Sequence, residues 1–480
     1  MRLKKILENL EILTIKNFKN YNIKSITHIS QDVSSGSIFI CIKGNNFDGN
    51  SFVKTAIQKG VKCVITEDQN LNENNVCIVV VKDIRIAMSV VAKNFYNRCV
   101  DRMKIVGLVG TSGKTSTSII LSQLLSSVDN NIGVIGTNGI FIGNIRQDNK
   151  FTTPDPLELH YIFYQMNLLG VKTVIMEVSA QAIYYKKVHE ITFDICVFTN
   201  ISREHLDFFG SMENYAKVKM NFFDKNHMKE CLVNTDDFYG RELAYKVNVP
   251  CVSYGIKEPA NSFAIDIKYS LSRTSFVANI LDDVLNVDVP FVGEYNVYNI
   301  IAGLTVAKML GMNKEGLQHA IKHLKGIDGR FNVYDIKGKE VIIDFAHTPD
   351  SIDKLLSHIK NNSNKNIISL FGCVGYSDKD KRYEMARVVA KYSGMVFVTS
   401  DNPGYTSFEE ISKDIICGLE DVNYICVEDR AEAIKRAYQM MTNDDILVII
   451  GKGAENFQTI KNERLPYSDK ECVLTLGKDN

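Results

Sequence analysis

Lys104-Ile-Val-Gly-Leu-Val-Gly-Thr-Ser-Gly-Lys-Thr-Ser-Thr117 decides the fold; it runs on into the Ser-, Ile- and Leu-rich residues 118–125. Residues 104–109 form the short, continuous apolar run of a strand buried on both faces, and the residues after 113 read as a helix. Strand, glycine-bearing turn and helix make the doubly wound unit of an α/β protein, with the turn at the carboxyl edge of a parallel sheet. In that turn Gly110, Thr111, Ser112 and Gly113 let backbone N–H groups approach phosphate oxygens. The helix N-terminus adds its dipole, Lys114 reaches terminal phosphates, Thr115 can ligate magnesium, and Ser116 follows in the first turn. The string departs from the full G-x-x-x-x-G-K-T phosphate loop, because Leu108 stands where its first glycine would be. A turn that merely caps a helix is the plain alternative, and the position between strand and helix favours the nucleotide.

Working outward, apolar runs at 173–176 and 195–199 continue the sheet, and each ends just before polar residues: Glu177 after the first, Glu204 and His205 after the second. A carboxylate, an imidazole and a phosphate-loop hydroxyl at one sheet edge suit hard-metal phosphoryl chemistry. Singly, Glu177 reads equally well as a solvated strand-end charge and His205 as a structural histidine; their convergence on one edge raises both. Upstream, strand-like runs at 37–42, 63–66 and 76–81 and a helix at 84–96 describe a small α/β domain. Downstream, strands at 341–343, 367–371, 395–399 and 446–450 alternate with helices at 351–359, 382–391, 408–419 and 431–440, a Rossmann-like α/β sandwich. The expectation is three domains over 1–100, 101–328 and 329–480, which suits 480 residues at roughly 150 per domain.

Composition removes other classes. Lys plus Arg and Asp plus Glu both number 56, so no global field draws the chain to nucleic acid or to an anionic membrane. No apolar run approaches the roughly 18 residues of a membrane span and no apolar signal core follows Met1, so a cytoplasmic protein without membrane insertion is expected. The 11 cysteines are scattered with no C-x-x-C pair and read as reduced core thiols rather than a disulfide framework or a zinc site.

Ordered motifs recur almost end to end: the phosphate loop, Thr152-Thr-Pro154, Met176-Glu-Val-Ser179, Phe198-Thr-Asn-Ile-Ser-Arg-Glu-His-Leu-Asp207, Gly293-Glu-Tyr-Asn-Val-Tyr-Asn299, Asp328-Gly-Arg330, Asp344-Phe-Ala-His-Thr-Pro-Asp350, Phe371-Gly-Cys373, Asp378 with Lys381-Arg382, Ser400-Asp-Asn-Pro403 and Gly451-Lys-Gly453. In these the chain resembles the Mur ligases, ATP-dependent enzymes that add amino acids to the peptide of a bacterial cell-wall precursor, and most of all their MurE type, which attaches the third residue. The resemblance implies that ATP phosphorylates a substrate carboxylate and that an incoming amine displaces phosphate from the acyl phosphate. It implies Lys114 on the β and γ phosphates, Thr115 and Glu177 on one magnesium and His205 on a second. Lys219, in Tyr215-Ala-Lys-Val-Lys219, matches the lysine that the family carbamylates with CO2 to hold that second metal; on spacing alone it and Lys217 both read as solvated helix charges. Asn296 and Asn299 match positions near adenine, and Arg330, Asp344 and His347 match the nucleotide-facing edge of the third domain. Thr152, Thr153 and Ser179 match contacts to the nucleotide-sugar dipeptide, Arg382, Asp401 and Asn402 the amino-acid pocket, and Gly451 and Glu455 the far end of the incoming side chain. The resemblance also implies a monomer.

Departures from the family pattern cluster on the substrate side. The Asp-Ser-Arg near the uridine is Ile29-Ser30-Gln31, Ser-Ser-His is Ser179-Ala180-Gln181, the arginine eight residues after that serine is Lys187, and Gly-Gly-Asp-Arg-Asp is Val374-Gly-Tyr-Ser-Asp378. Lys187 keeps the charge but loses the bidentate fork. Diaminopimelate-adding members carry an arginine after Asp-Asn-Pro for the extra carboxylate, where this chain has Gly404, so meso-diaminopimelate is disfavoured and a lysine-like ω-amine meeting Glu455 is favoured. A ligase of the wall precursor, a paralogue with another carboxylate acceptor, and a non-catalytic nucleotide switch all stay open, in that order; a switch has no need of the second-metal lysine.

Overall fold

The computed structural model describes every residue except 45–47, 130, 144, 376–378 and 478–480, so Tyr376, Ser377 and Asp378 of the fourth departure lie outside the described residues. The chain divides into two compact units, one made of Met1–Phe263, Asn279–Asp283 and Tyr298–Ala320, the other of Ala264–Ala278, Val284–Val297 and Ile321–Asn480.

The first unit contains two sheets. Five strands come first, in the order Ile12–Lys16, Cys77–Val81, Cys63–Thr66, Ser37–Ile40 and Ser25–Thr27, parallel except at the Ile12–Lys16 edge. The middle three are buried along their whole length, as parallel strands covered on both faces are. The helix Ile84–Phe95, capped by the Asp83 carboxylate on the N–H groups of Arg85 and Ile86, is tied to the stretch after residue 182. Ser89 donates to the Lys186 carbonyl, Lys186 pairs with Asp83, the buried Lys93 meets Asp101 at 2.9 Å and Glu190 at 3.6 Å, and Arg85 lies 4.3 Å over the Tyr185 ring.

In the second sheet of this unit, Lys104–Val109 lies between Thr173–Val178 and Phe193–Phe198, both parallel to it. Ile132–Gly136 follows beyond Thr173–Val178, and Met228–Asn234 and Cys251–Gly255 beyond Phe193–Phe198. The chain therefore reverses its direction of winding around Lys104–Val109, which opens a crevice at the carboxyl end of that strand. The sequence pattern located the three central strands and passed over Ile132–Gly136, whose two glycines break the apolar run.

The second unit contains a six-stranded sheet in the order Asn332–Ile336, Lys339–Asp344, Asp445–Ile450, Asn366–Phe371, Met395–Val398 and Asn423–Cys426, parallel except for the first hairpin. Helices Pro349–Asn362, Lys379–Tyr392, Phe408–Ile416 and Arg430–Met440 alternate with the strands, the first opened by a Thr348–Ser351 capping box. A fully buried ion pair locks its end: Arg430 donates to both carboxylate oxygens of Asp469 at 2.8 Å and to the Ile450 carbonyl, and the Tyr467 hydroxyl donates to Asp469. Among the described residues the cysteines are unpaired, and no helix is long and apolar enough to cross a membrane.

Removing one partner of a buried pair leaves a bare charge behind. Arg430→Met is expected to cost about 3–5 kcal/mol, read as a lower urea midpoint, whereas Arg430→Met combined with Asp469→Leu should recover most of the loss.

Candidate active site

Val109 ends its strand level with Val178 and Phe198, so the residues that follow all three strands share one edge. Close approach dictates the glycines there. A Cβ on Gly110 would sit 1.9 Å from Thr199 Oγ1, and one on Gly113, at φ 89°, would sit 2.6 Å from Asn299 Oδ1. Asn200 braces the loop, its carbonyl accepting from the Thr111 N–H at 2.8 Å and its side chain from the Ser112 N–H at 2.9 Å, while Thr199 Oγ1 donates to the Ser112 carbonyl. Lys114 Nζ donates to the carbonyls of Gly110 and Thr111 at 2.7 and 2.8 Å. Ser116 lies half-buried in the first turn of the helix Lys114–Ser126, and the Thr117 hydroxyl in the next turn donates to Asn299.

Glu177 is 1% exposed, and three donors hold its carboxylate: Thr115 Oγ1 at 2.9 Å and the N–H and Oγ1 of Thr137, each at 3.1 Å. Gly136 makes the room, since a Cβ there would lie 2.2 Å from Oε1. Thr137 was not among the residues singled out by sequence. Its hydroxyl also meets Thr152 Oγ1 at 3.0 Å, next to Thr153, which donates to the Glu177 carbonyl and accepts from the Ser179 N–H. Ser179 caps the helix Ala180–Tyr184. Lys187 pairs with Asp155 at 2.9 Å and lies 4.7 Å over the Phe151 ring. Ser30 lies in the turn Ser30–Asp32, its hydroxyl donating to the Gln31 side chain and its carbonyl accepting from Lys59 at 2.8 Å; burial lowers the pKa of His28, two residues before it. The structure thus brings Thr152, Thr153, Ser179 and Lys187 together, Lys187 Nζ reaching the Thr153 carbonyl at 3.5 Å.

On the other side of the loop, burial separates the two lysines that spacing left equivalent. Lys217 is exposed, while Lys219 is 1% exposed, donates to the hydroxyls of Thr111 and Tyr215, and lies 4.2 Å over the Tyr215 ring. Burial first, and the charge of Lys114 after it, push its pKa well below the ordinary lysine range, which favours a neutral, nucleophilic amine. The solvated-charge reading of Lys219 therefore fails. His205 takes a left-handed backbone (φ 55°) that turns its ring toward Tyr215, 6.3 Å away. Burial lowers its pKa against the opposing pull of Glu204, whose carboxylate is 3.7 Å off, so the imidazole can be neutral. Among the described residues no three His, Cys, Asp or Glu side chains form a metal cage. A carboxylate with threonine hydroxyls at Glu177 is instead the hard-oxygen donor set that suits a magnesium ion keeping most of its waters.

In the second unit, Asp344 accepts from the N–H groups of Phe331 and Ala346 at 2.8 and 2.7 Å; burial raises its pKa and Arg330 opposes the rise. Arg330 lies 4.3 Å over the Phe345 ring, and His347 Nδ1 is 2.9 Å from the Phe345 carbonyl. Asn296 donates to the Val292 carbonyl. Lys452, fully buried, joins the expected amino-acid residues into one network: it lies 2.8 Å from Glu455, 3.2 Å from Asn402 and 3.8 Å from Asp401, while Asn402 donates to Glu455 at 3.1 Å. Gly451 must be glycine, because a Cβ would lie 2.7 Å from Asp401 Oδ2 at φ 118°. Arg382 is committed internally, to Asp414 at 2.8 Å and to the carbonyls of Val374 and Gly375, so its guanidinium holds that loop.

Three family models match in order: the Mur ligase family catalytic domain over residues 22–96, the Mur ligase middle domain over 108–307 and the Mur ligase glutamate ligase domain over 329–453. The chain belongs to the Mur ligase family. It is 36% identical to the UDP-N-acetylmuramoyl-L-alanyl-D-glutamate–2,6-diaminopimelate ligase of Clostridioides difficile (strain 630), over 98% of this chain and 99% of that protein. It is 34% identical to the first such ligase of Clostridium acetobutylicum, over the full length of both. A solved structure of a UDP-N-acetylmuramoyl-L-alanyl-D-glutamate–2,6-diaminopimelate ligase superposes with a TM-score of 0.73 at 27% identity, covering 100% of this chain and 99% of that one. This Mur ligase is accordingly an ATP-dependent acid–amino-acid ligase of peptidoglycan synthesis with the three-part Mur architecture.

Two residues of this Mur ligase escaped sequence reasoning. Lys452 stands in the Gly451-Lys-Gly453 motif, where a lysine between two glycines held at positive φ is a usable signal of a tightly packed cation. Thr137 had none, because only folding carries its turn to Glu177. Burial raises the Asp401 carboxyl to about 6, against Arg430 and Lys452. A pKa higher in the folded state gives stability that is full below the ordinary carboxylate range and lost as the pH rises through about 6. Asp401→Asn should remove that contribution: the wild-type-minus-variant difference in denaturation midpoint is expected to change across about pH 4 to 7 and to be flat outside it.

Proposed function

We propose that this Mur ligase joins an amino acid to the D-glutamyl carboxylate of UDP-N-acetylmuramoyl-L-Ala-D-Glu by way of an acyl phosphate, as a cytoplasmic monomer with domains over 1–100, 101–328 and 329–480. The observation that carries the reading is the pairing of two buried groups across one phosphate loop: Glu177 with Thr115 on one side, Lys219 with Thr111 on the other. Gly110, Thr111, Ser112, Gly113, Thr115 and Ser116 cradle the ATP phosphates, and Lys114 turns from the loop carbonyls to their charge. Asn296, Asn299, Arg330, Asp344 and His347 serve the rest of the nucleotide. Magnesium held by Thr115 and Glu177, and by His205 with Lys219, supplies charge neutralisation for phosphoryl transfer. Lys219 contributes there as a carbamate: its neutral amine adds to CO2 and loses a proton, turning a buried cation into a carboxylate analogue. Ser30, Thr152, Thr153, Ser179 and Lys187 hold the acceptor, and Asp401, Asn402, Gly451 and Glu455 the amino acid, with Arg382 shaping that pocket through the Val374–Gly375 loop it holds.

The favoured amino acid carries an ω-ammonium and one carboxylate. Gly404 leaves a second carboxylate without a guanidinium, and Glu455 keeps a carboxylate in the pocket. Its pairing with Lys452 reduces its pull on a cation, and the relatives named for 2,6-diaminopimelate support that diamino diacid as the second reading. The experiment is ATP-dependent phosphate release with the nucleotide dipeptide and lysine, ornithine or meso-diaminopimelate. Release that needs the dipeptide and lysine or ornithine is expected. Release with meso-diaminopimelate alone overturns the amino-acid assignment, and none with any member, from protein that binds ATP, moves the acceptor to another carboxylate and attention to Ile29, Gln31 and Lys187.

Lys219→Ala is expected to lower turnover on the order of a hundred- to a thousandfold. Labelled bicarbonate should give a carbamate carbon resonance in the wild type that is missing from the variant, and an unchanged spectrum would remove the carbamate.

A further inference from the structure

We propose that Thr137 couples a cation at Glu177 to ligand binding at Thr152 by reversing a chain of two hydroxyls. The inference rests on the acceptor-side reading of Thr152 given above. Thr137 stands in the turn that follows Ile132–Gly136, its N–H donating to Glu177 Oε1 and its Oγ1 placed between two partners, Glu177 Oε2 at 3.1 Å and Thr152 Oγ1 at 3.0 Å. A threonine hydroxyl has one proton, so it can donate to only one of them.

With the Glu177 carboxylate unshared, the charge-assisted bond is the stronger one. Thr137 then donates to Glu177, Thr152 donates to Thr137, and the Thr152 proton is engaged inward. Once Glu177 shares its oxygens with a divalent cation, the carboxylate is a weaker acceptor. The Thr137 proton turns to Thr152, which in turn directs its own proton outward, toward an oxygen of the bound ligand. No bond is made or broken; two hydroxyls rotate.

Three observations support the chain. Glu177 is buried while Thr137 is exposed and Thr152 half-buried, so the acceptor ligand can meet the chain at Thr152 without touching the carboxylate. Thr153 cannot take the part of Thr152, since its hydroxyl donates to the Glu177 carbonyl and accepts from the Ser179 N–H. The absence of a Cβ at Gly136 lets Glu177 come within reach of the turn at all. Thr137 is a positioning residue in this scheme, since it acts on the ligand through Thr152.

The test is calorimetric. The nucleotide dipeptide is titrated into the full chain loaded with a non-hydrolysable ATP analogue, with and without Mg2+, for the wild type, Thr137→Val, which loses the hydroxyl but keeps the N–H, and Thr137→Ser, which keeps both. The wild type and Thr137→Ser are expected to bind the dipeptide about fivefold more tightly with Mg2+, the worth of one neutral hydrogen bond, and Thr137→Val to bind it equally in both conditions. A full Mg2+ increment in Thr137→Val, or none in a wild type that binds both ligands, overturns the relay. A wild type that binds no dipeptide in either condition overturns the acceptor reading instead. Mg2+ titration of the analogue-loaded protein without dipeptide then decides the relay on its own. Thr137→Val gives up no bond to Glu177 and should bind Mg2+ at least as tightly as the wild type, whereas about a tenfold loss would mean that Thr137 only orients the carboxylate.

Discussion

A carboxylate with almost no contact with water, at the end of a central parallel strand, is the constraint around which the first unit is arranged. A buried carboxylate needs hydrogen-bond donors, and Glu177 finds them in three places: the first turn of the helix after the phosphate loop, the backbone of the turn after Ile132–Gly136, and the hydroxyl of that same turn. Gly136 has no side chain because the carboxylate occupies its space. The Glu177 backbone carbonyl receives Thr153, which tethers the loop holding Thr152 and the start of the helix at Ser179. Phosphate loop, buried acid and the hydroxyls of Thr137, Thr152 and Thr153 thus form one hydrogen-bonded piece.

Three buried cations show how differently the chain handles charge. Arg430 meets Asp469 through both carboxylate oxygens and serves architecture. Lys452 lies among Glu455, Asn402 and Asp401, a network with more acid than base, and the Asp401 carboxyl rises to about 6 as a result of its burial. Lys219 is held by hydroxyls, and desolvation beside Lys114 favours loss of its charge. Of the three, only this environment favours a neutral amine, and burial is what distinguishes Lys219 from the exposed Lys217 two residues away.

Much of the fold was legible in the chain itself. Buried parallel strands are continuous apolar runs, so Lys104–Val109, Thr173–Val178 and Phe193–Phe198 could be read almost to the residue, as could the alternation of strands and helices after residue 329. Ile132–Gly136 was hidden by the glycines that its packing requires: a Cβ at Gly133 would meet Met166 and one at Gly136 would meet Glu177. Tertiary contact removed the side chains that would have announced the strand.

The candidate site divides along the same line. The strand–loop–helix motif at residues 104–117 could be recognised in the sequence alone, because its apolar run, glycines and helix start are contiguous, although Thr199, Asn200 and Asn299 from later in the chain complete its packing. Lys219, Thr137, Lys452 and the Arg430–Asp469 pair depend on partners that are remote along the chain, the last two residues 39 apart. Whether a lysine is a solvated charge or a buried amine, and whether a turn threonine touches a carboxylate, follows from desolvation and from a one-proton choice among neighbours, and only the folded chain supplies either.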